Sequence, residues 1–188
     1  GNLLGGMSLL GAFWLLRLQS RNTLPAGDSP ALYSVGAGML LLALQIALGG
    51  QVSAHGAAKA CATLPACDGE WWPAGVLPAL HMAHRLGAAI LLCYWTALAA
   101  VLWRRGIPAA RGAAAVTGML VAQAGLGAVV VATGAPVAAA LAHNAWAALT
   151  VLVAVSAACY AALPAGAEAP AARQIATSKW PSGTGPQR

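Results

Sequence analysis

The segment Leu80-His81-Met82-Ala83-His84-Arg85-Leu86-Gly87-Ala88 opens an apolar run that continues to Trp103. Three ionisable side chains stand at the mouth of a stretch otherwise suited only to lipid. Such groups cost roughly 2.5 to 3.5 kcal/mol each at mid-bilayer on insertion scales, so they face a bundle interior and act there. Reading this stretch as a transmembrane helix with a functional histidine at His84 sets the terms for the rest of the chain.

Composition agrees with that reading. Of 188 residues, 60% are hydrophobic and only 7% charged, which places the chain among membrane proteins. The net charge of +6 comes without any basic stripe interleaved with aromatics. Nucleic acid is therefore not an expected partner, and orientation in a membrane accounts for the charge better. The chain begins Gly1-Asn2-Leu3-Leu4-Gly5-Gly6, without Met and already inside an apolar run. No charged n-region of a signal peptide precedes it, and it reads as the C-terminal part of a longer protein.

Five apolar segments are expected as transmembrane helices, over about 1–18, 31–55, 77–103, 112–133 and 136–163, since crossing about 30 Å of hydrocarbon takes about 20 residues. The first is the shortest and reads as truncated. Pro30 precedes the second, Pro78 falls in the first turn of the third and Pro136 starts the fifth, all places where a missing N–H costs nothing. From Gly112 to Ala167 there is no Asp, Glu, Lys or Arg. His143 is the only group there that titrates near neutral pH.

The cations give the orientation. Arg17, Arg21, Arg104, Arg105, Arg111, Arg173, Lys179 and Arg188, eight of the ten Lys and Arg, fall on one side, which is then cytoplasmic in a multi-pass protein of the plasma membrane. The loop at about 19–30 and the tail at about 164–188 share that side, and the tail, rich in Ala, Pro, Gly and Ser, is expected to be flexible. The loop at about 56–76 and the turn from Thr133 to Pro136 lie outside.

An internal repeat appears once these segments are drawn. Gln45 to Gly56 matches Gln123 to Gly134 at six of twelve positions, at an offset of 78. Treating the longer outer loop of the first unit as a 19-residue insertion lowers the offset to 59 and aligns Ala83-His84 with Ala142-His143. The chain thus contains two tandem two-helix units, and two same-direction helix pairs are related by a two-fold axis along the membrane normal. In an up-down-up-down four-helix bundle the two histidine-bearing helices are diagonal partners, at about 11 to 14 Å if neighbours are 8 to 10 Å apart. That gap suits a metal macrocycle, and a haem with two axial histidines fits.

Plainer readings stand beside this one. A lone histidine in a membrane helix can simply hydrogen-bond a neighbouring helix. A structural zinc site wants four close ligands, and only His81 is near enough in sequence to add a third; one turn closer to water, it reads as interfacial. The Ala and Gly of the second and fourth segments serve close packing or leave room for a flat ring. In the outer loop, Cys61-Ala-Thr-Leu-Pro-Ala-Cys67 is followed by Asp68-Gly69-Glu70-Trp71-Trp72-Pro73. Outside the membrane such a pair reads most simply as a disulfide, with a redox-active pair and free thiols as the other readings. Trp71 and Trp72 fall where an aromatic belt is expected, and Cys93 and Cys159 read as small buried apolar residues.

Gln45 and Gly49, the Cys61–Cys67 loop with Trp71-Trp72-Pro73, the pair His84-Arg85, and His143 resemble, in order and spacing, the C-terminal half of the haem A synthases of cytochrome oxidase assembly. Asn2-Leu3-Leu4-Gly5-Gly6-Met7 is similar to the fourth of that family's eight helices, so the resemblance covers about residues 1–163 and makes the first segment part of a missing N-terminal bundle. It implies an integral membrane oxidoreductase that converts a methyl group of haem O to a formyl group, giving haem A. It implies that the last four helices hold a haem B cofactor, its iron bound by His84 and His143. Arg85 either pairs with a haem propionate or snorkels to lipid headgroups. Haem O, membrane lipid, haem O synthase and an electron donor are the implied partners, and homo-oligomerisation is left open. Asn2 stands where alignment to Ala142-His143 calls for a histidine, and no catalytic acid or base is assigned within this chain. A bis-histidine cytochrome that only carries electrons, and a transporter or assembly scaffold without a redox centre, are the competing classes.

Overall fold

The computed structural model describes residues 2–20 and 30–162. The expected tail at 164–188, most of the 19–30 loop, and with them Arg21, Arg173, Lys179 and Arg188, lie outside the described residues. Five α-helices run in order: α1 (Asn2–Gln19), α2 (Pro30–Ala54), α3 (Val76–Arg104), α4 (Ala110–Ala132) and α5 (Val137–Ala161), with a 3-10 turn at Ala57–Lys59 between α2 and α3. The proline signals are met closely. Pro30 is the first residue of α2, Pro78 lies in the first turn of α3, and Pro136 caps α5 in an extended conformation.

The turn between α4 and α5 is set by backbone chemistry. Gly134 takes a left-handed φ of 73°, which costs glycine nothing. Ala135 follows at φ 58° and donates its N–H to Val130 O at 2.7 Å, so the last carbonyls of α4 find partners before α5 begins.

Four helices, α2 to α5, are long and apolar enough to cross a membrane, and the chain is a multi-pass membrane protein. The fifth expected span differs. α1 has 18 residues and carries Asn2, Arg17 and Gln19, so at 1.5 Å per residue it is roughly 27 Å long and is not among those four.

Helix α2 packs on α3, α3 on α4, α4 on α5, and α5 back on α2, which sets α3 and α5 across from one another. α1 leans on α2 and α5 from outside the ring, with Trp14 Nε1 donating to Ser156 Oγ at 2.9 Å. The end of the bundle that carries Arg104 and Arg111 is filled. Val35, Trp95, Ala113, Val116 and Ala154 are all fully buried there. Gly38 makes room for the indole of Trp95, since a Cβ at position 38 would lie 2.7 Å from Trp95 Cζ2. The opposite end of the ring is hollow.

Candidate functional site

The hollow end encloses a cavity of about 520 Å³, within the range of small-molecule and cofactor pockets. His84 from α3 and His143 from α5 both line it. Each imidazole is met by a glutamine of the helix before it, at Nδ1 in His84 and at Nε2 in His143. Gln45 Nε2, on α2, lies 2.9 Å from His84 Nδ1 and donates to His84 O at 2.9 Å. Gln123 Nε2, on α4, lies 3.1 Å from His143 Nε2 and donates to His143 O at 3.1 Å.

Glycines four residues after each glutamine complete the arrangement. A Cβ at Gly49 would sit 3.0 Å from His84 Cε1, and one at Gly127 would sit 3.3 Å from His143 Cε1. One turn of α-helix separates residues i and i+4. The glutamine and the glycine therefore stack on one face, the first gripping a ring and the second letting it lie against the backbone. The sequence repeat pairs these residues by number, Gln45 with Gln123 and Gly49 with Gly127 at an offset of 78.

The remaining expected site residues fall as follows. Arg85 lines the cavity, but its guanidinium points to the outer loop. NH1 donates to Thr63 O at 2.7 Å and Pro65 O at 3.2 Å, and NH2 donates to Cys61 O at 2.9 Å. It ties the loop to the turn of α3 that carries His84. Cys61 and Cys67 are both buried, with Cα atoms 4.9 Å apart and sulfurs within bonding distance. His81 is buried at 4% exposure and also lines the cavity. Trp71 and Trp72 are exposed. Cys159 is buried as expected, whereas Cys93 is exposed, because it sits on the outward face of α3.

The donor set fits a haem between two imidazoles. His143 Nδ1 is buried on the cavity wall with no hydrogen-bond partner, as is His81 Nδ1, and a buried polar atom left unpaired beside a cavity calls for an explanation such as a bound group. Among the described residues no group of three or more His, Cys, Asp or Glu gathers to hold a bare metal ion. Two histidines on opposite walls of one cavity instead match a macrocycle that brings four nitrogen ligands of its own and needs only axial ones. The glycines accord with the expected room for a flat ring, whereas the grip of Gln45 and Gln123 on the imidazoles goes beyond the sequence pattern, although the repeat contains both.

Residues 2–155 match the family model described as cytochrome oxidase assembly protein. The chain is 31% identical over 183 aligned residues to a heme A synthase from Shewanella oneidensis, with 82% of this chain and 55% of the relative covered. The chain thus spans about half the length of that curated relative.

Proposed function

Because this chain belongs to the cytochrome oxidase assembly family, the family of the haem A synthases, we propose that it works as an oxidoreductase of haem A biosynthesis, taking part in the oxidation of a methyl group of haem O to a formyl group. Residues 31–163 are its cofactor unit, a four-helix membrane bundle of two tandem helix pairs, with α1 as a fifth span packed against it. That unit would hold one haem B through His84 and His143. The observation that carries this reading is the matched pair of glutamine-held histidines lining one cavity from opposite helices.

The bound haem would supply one-electron chemistry at its iron. The protein residues do the rest. His84 and His143 fix the ring's position, and Gly49 and Gly127 keep the walls flat enough to admit it. Arg85 holds the 60–75 loop over the mouth and limits water there, which strengthens electrostatic contacts inside. A disulfide between Cys61 and Cys67 closes that loop. Haem O is the substrate class, haem O synthase and an electron donor are partners, and the plasma membrane is the location.

Two measurements test this. Pigment extracted from the purified chain and separated by chromatography with mass detection should be haem B, at about one per bundle. A colourless protein contradicts the cofactor assignment. In cells that rely on the native gene, His84→Ala should let haem O accumulate at the expense of haem A; unchanged haem A contradicts the assignment to that reaction.

A further inference from the structure

The two glutamines hold more than the fold requires. Each buried carboxamide directs one nitrogen at two acceptors of the same residue, the imidazole nitrogen and the main-chain oxygen of the histidine. A side chain that grips both a ring and the backbone of the helix carrying it fixes the angle between them. At the same time Gln45 Oε1 and Gln123 Oε1 are both buried with no hydrogen-bond partner. Leaving a buried acceptor unpaired costs about 1 to 3 kcal/mol, and here the same orphan occurs twice, at equivalent places in the two units. Gln45 Oε1 packs so closely on Gly87 that any side chain at position 87 would collide with it; the glycine makes room for the carboxamide.

A neutral imidazole has one proton. Once one ring nitrogen binds a metal, the other carries that proton and becomes a donor. It then needs an acceptor, and metal-bound histidines nearly always have one. The bare ring accepts from the glutamine N–H; the ligated ring must donate, and the unpaired Oε1 on the same carboxamide is the acceptor at hand, reached when the amide turns over and gives up its bond to the histidine's main-chain oxygen. The carboxamide offers both polarities at one position, which neither a carboxylate nor an ammonium does.

From this we infer that Gln45 and Gln123 are the positioning residues of the two axial imidazoles, setting ring orientation and, through the ring N–H, the electron donation of each ligand to the iron. The inference rests on His84 and His143 being haem ligands, and goes beyond it by assigning a tuning role to two residues that touch neither iron nor substrate.

The test is redox titration of the purified, haem-loaded chain, followed by its visible and paramagnetic resonance spectra. Gln45→Glu and Gln123→Glu replace the amide oxygen with a stronger acceptor. The ring N–H is then pulled toward imidazolate, the ferric state is favoured, and the midpoint should fall by about 59 mV for a tenfold change in the ferric to ferrous ratio. Gln45→Leu and Gln123→Leu remove the acceptor, so the midpoint should rise and the low-spin resonance should change its anisotropy. Gln51→Glu, exposed on the same helix α2, brings the same charge without touching a ring and should leave both readouts in place. If an introduced carboxylate unfolds the bundle, the leucine variants carry the test. Midpoint and resonance unchanged in the Glu and Leu variants overturn the inference, as does an equal shift from Gln51→Glu. A parent chain lacking a two-histidine low-spin spectrum overturns the ligand assignment itself, and the two failures are told apart by that spectrum alone.

Discussion

The two helix pairs, α2–α3 and α4–α5, agree at the histidine and differ at several of the packing positions around it. In both, a glutamine and a glycine one turn apart receive the imidazole of the next helix. Away from that contact the packing is exchanged. Gly38 opposes Trp95 in the first pair; at offsets of 78 and 59 the corresponding residues of the second are Val116 and Ala154, both fully buried. The large side chain has moved from one helix to the other in part. Gly87, which clears Gln45, corresponds to Trp146, whose Nε1 donates to Met119 O at 2.9 Å. Interior packing tolerates such exchanges if total volume is kept. A ligand geometry shared across a two-fold axis does not tolerate them, and the pairs Gln45/Gln123, Gly49/Gly127 and His84/His143, which make the ring contacts, are among the residues kept in both units.

The outer ends differ most. The first pair is joined through a long loop fastened by Arg85 and the two cysteines, the second by the tight turn at Gly134 and Ala135. Asn144 takes the position equivalent to Arg85. One side of the cavity is therefore roofed and the other is not, so entry is expected over the α4–α5 turn.

The largest effect should come from breaking what the pairs share. Gly49→Leu or Gly127→Leu puts a side chain where the imidazole lies, and haem content per chain should fall to background in both, measured by absorbance against protein. Retention in one of the two would end the equivalence of the units. Next comes what they do not share. Trp95→Ala should cost about 3 to 5 kcal/mol, seen as a lower midpoint of thermal unfolding in detergent. Gly38→Val added to it rebuilds the pattern of the second unit and should recover part of the loss, since contacting residues couple by roughly 0.5 to 3 kcal/mol. Pure additivity would mean that the exchange is not a packing exchange.

The roof should show smaller effects. Replacing Cys61 and Cys67 by Ser should cost roughly 2 kcal/mol, the loop-closure value for so short a ring, and unreduced peptides of the parent should show the two linked. Complete alkylation without reduction would contradict the bond. Arg85→Leu should make the loop open to protease with little change in haem content, whereas Asn144→Leu should leave cleavage as it is. Loss of haem in the first would mean that Arg85 serves the cofactor directly.

Much of this was legible in the chain. Helix ends followed proline and glycine chemistry that acts within one turn, and the alignment of His84 with His143 needed only counting once the outer loop was set aside. Other parts depend on contacts that counting does not reach. Gln45 and Gln123 were visible as a matched pair, but whether a glutamine faces a ring, a backbone or lipid depends on helix rotation. For Arg85 the sequence offers a propionate or lipid headgroups; in the structure its guanidinium donates to carbonyls of a loop whose path no periodicity describes. Depth in the helix says nothing of whether His81 is covered, and in the fold it is buried. A mid-helix position makes Cys93 look buried but says nothing about the face it occupies, and it is exposed.

The claim on which the rest depends is that His84 and His143 are partners at one iron. The visible and low-temperature resonance spectra of the purified parent, His84→Ala, His143→Ala and His81→Ala test it directly. The parent and His81→Ala should show the same low-spin two-histidine haem, and each of the other two variants should lose it. A normal low-spin spectrum in His84→Ala or in His143→Ala would contradict the account.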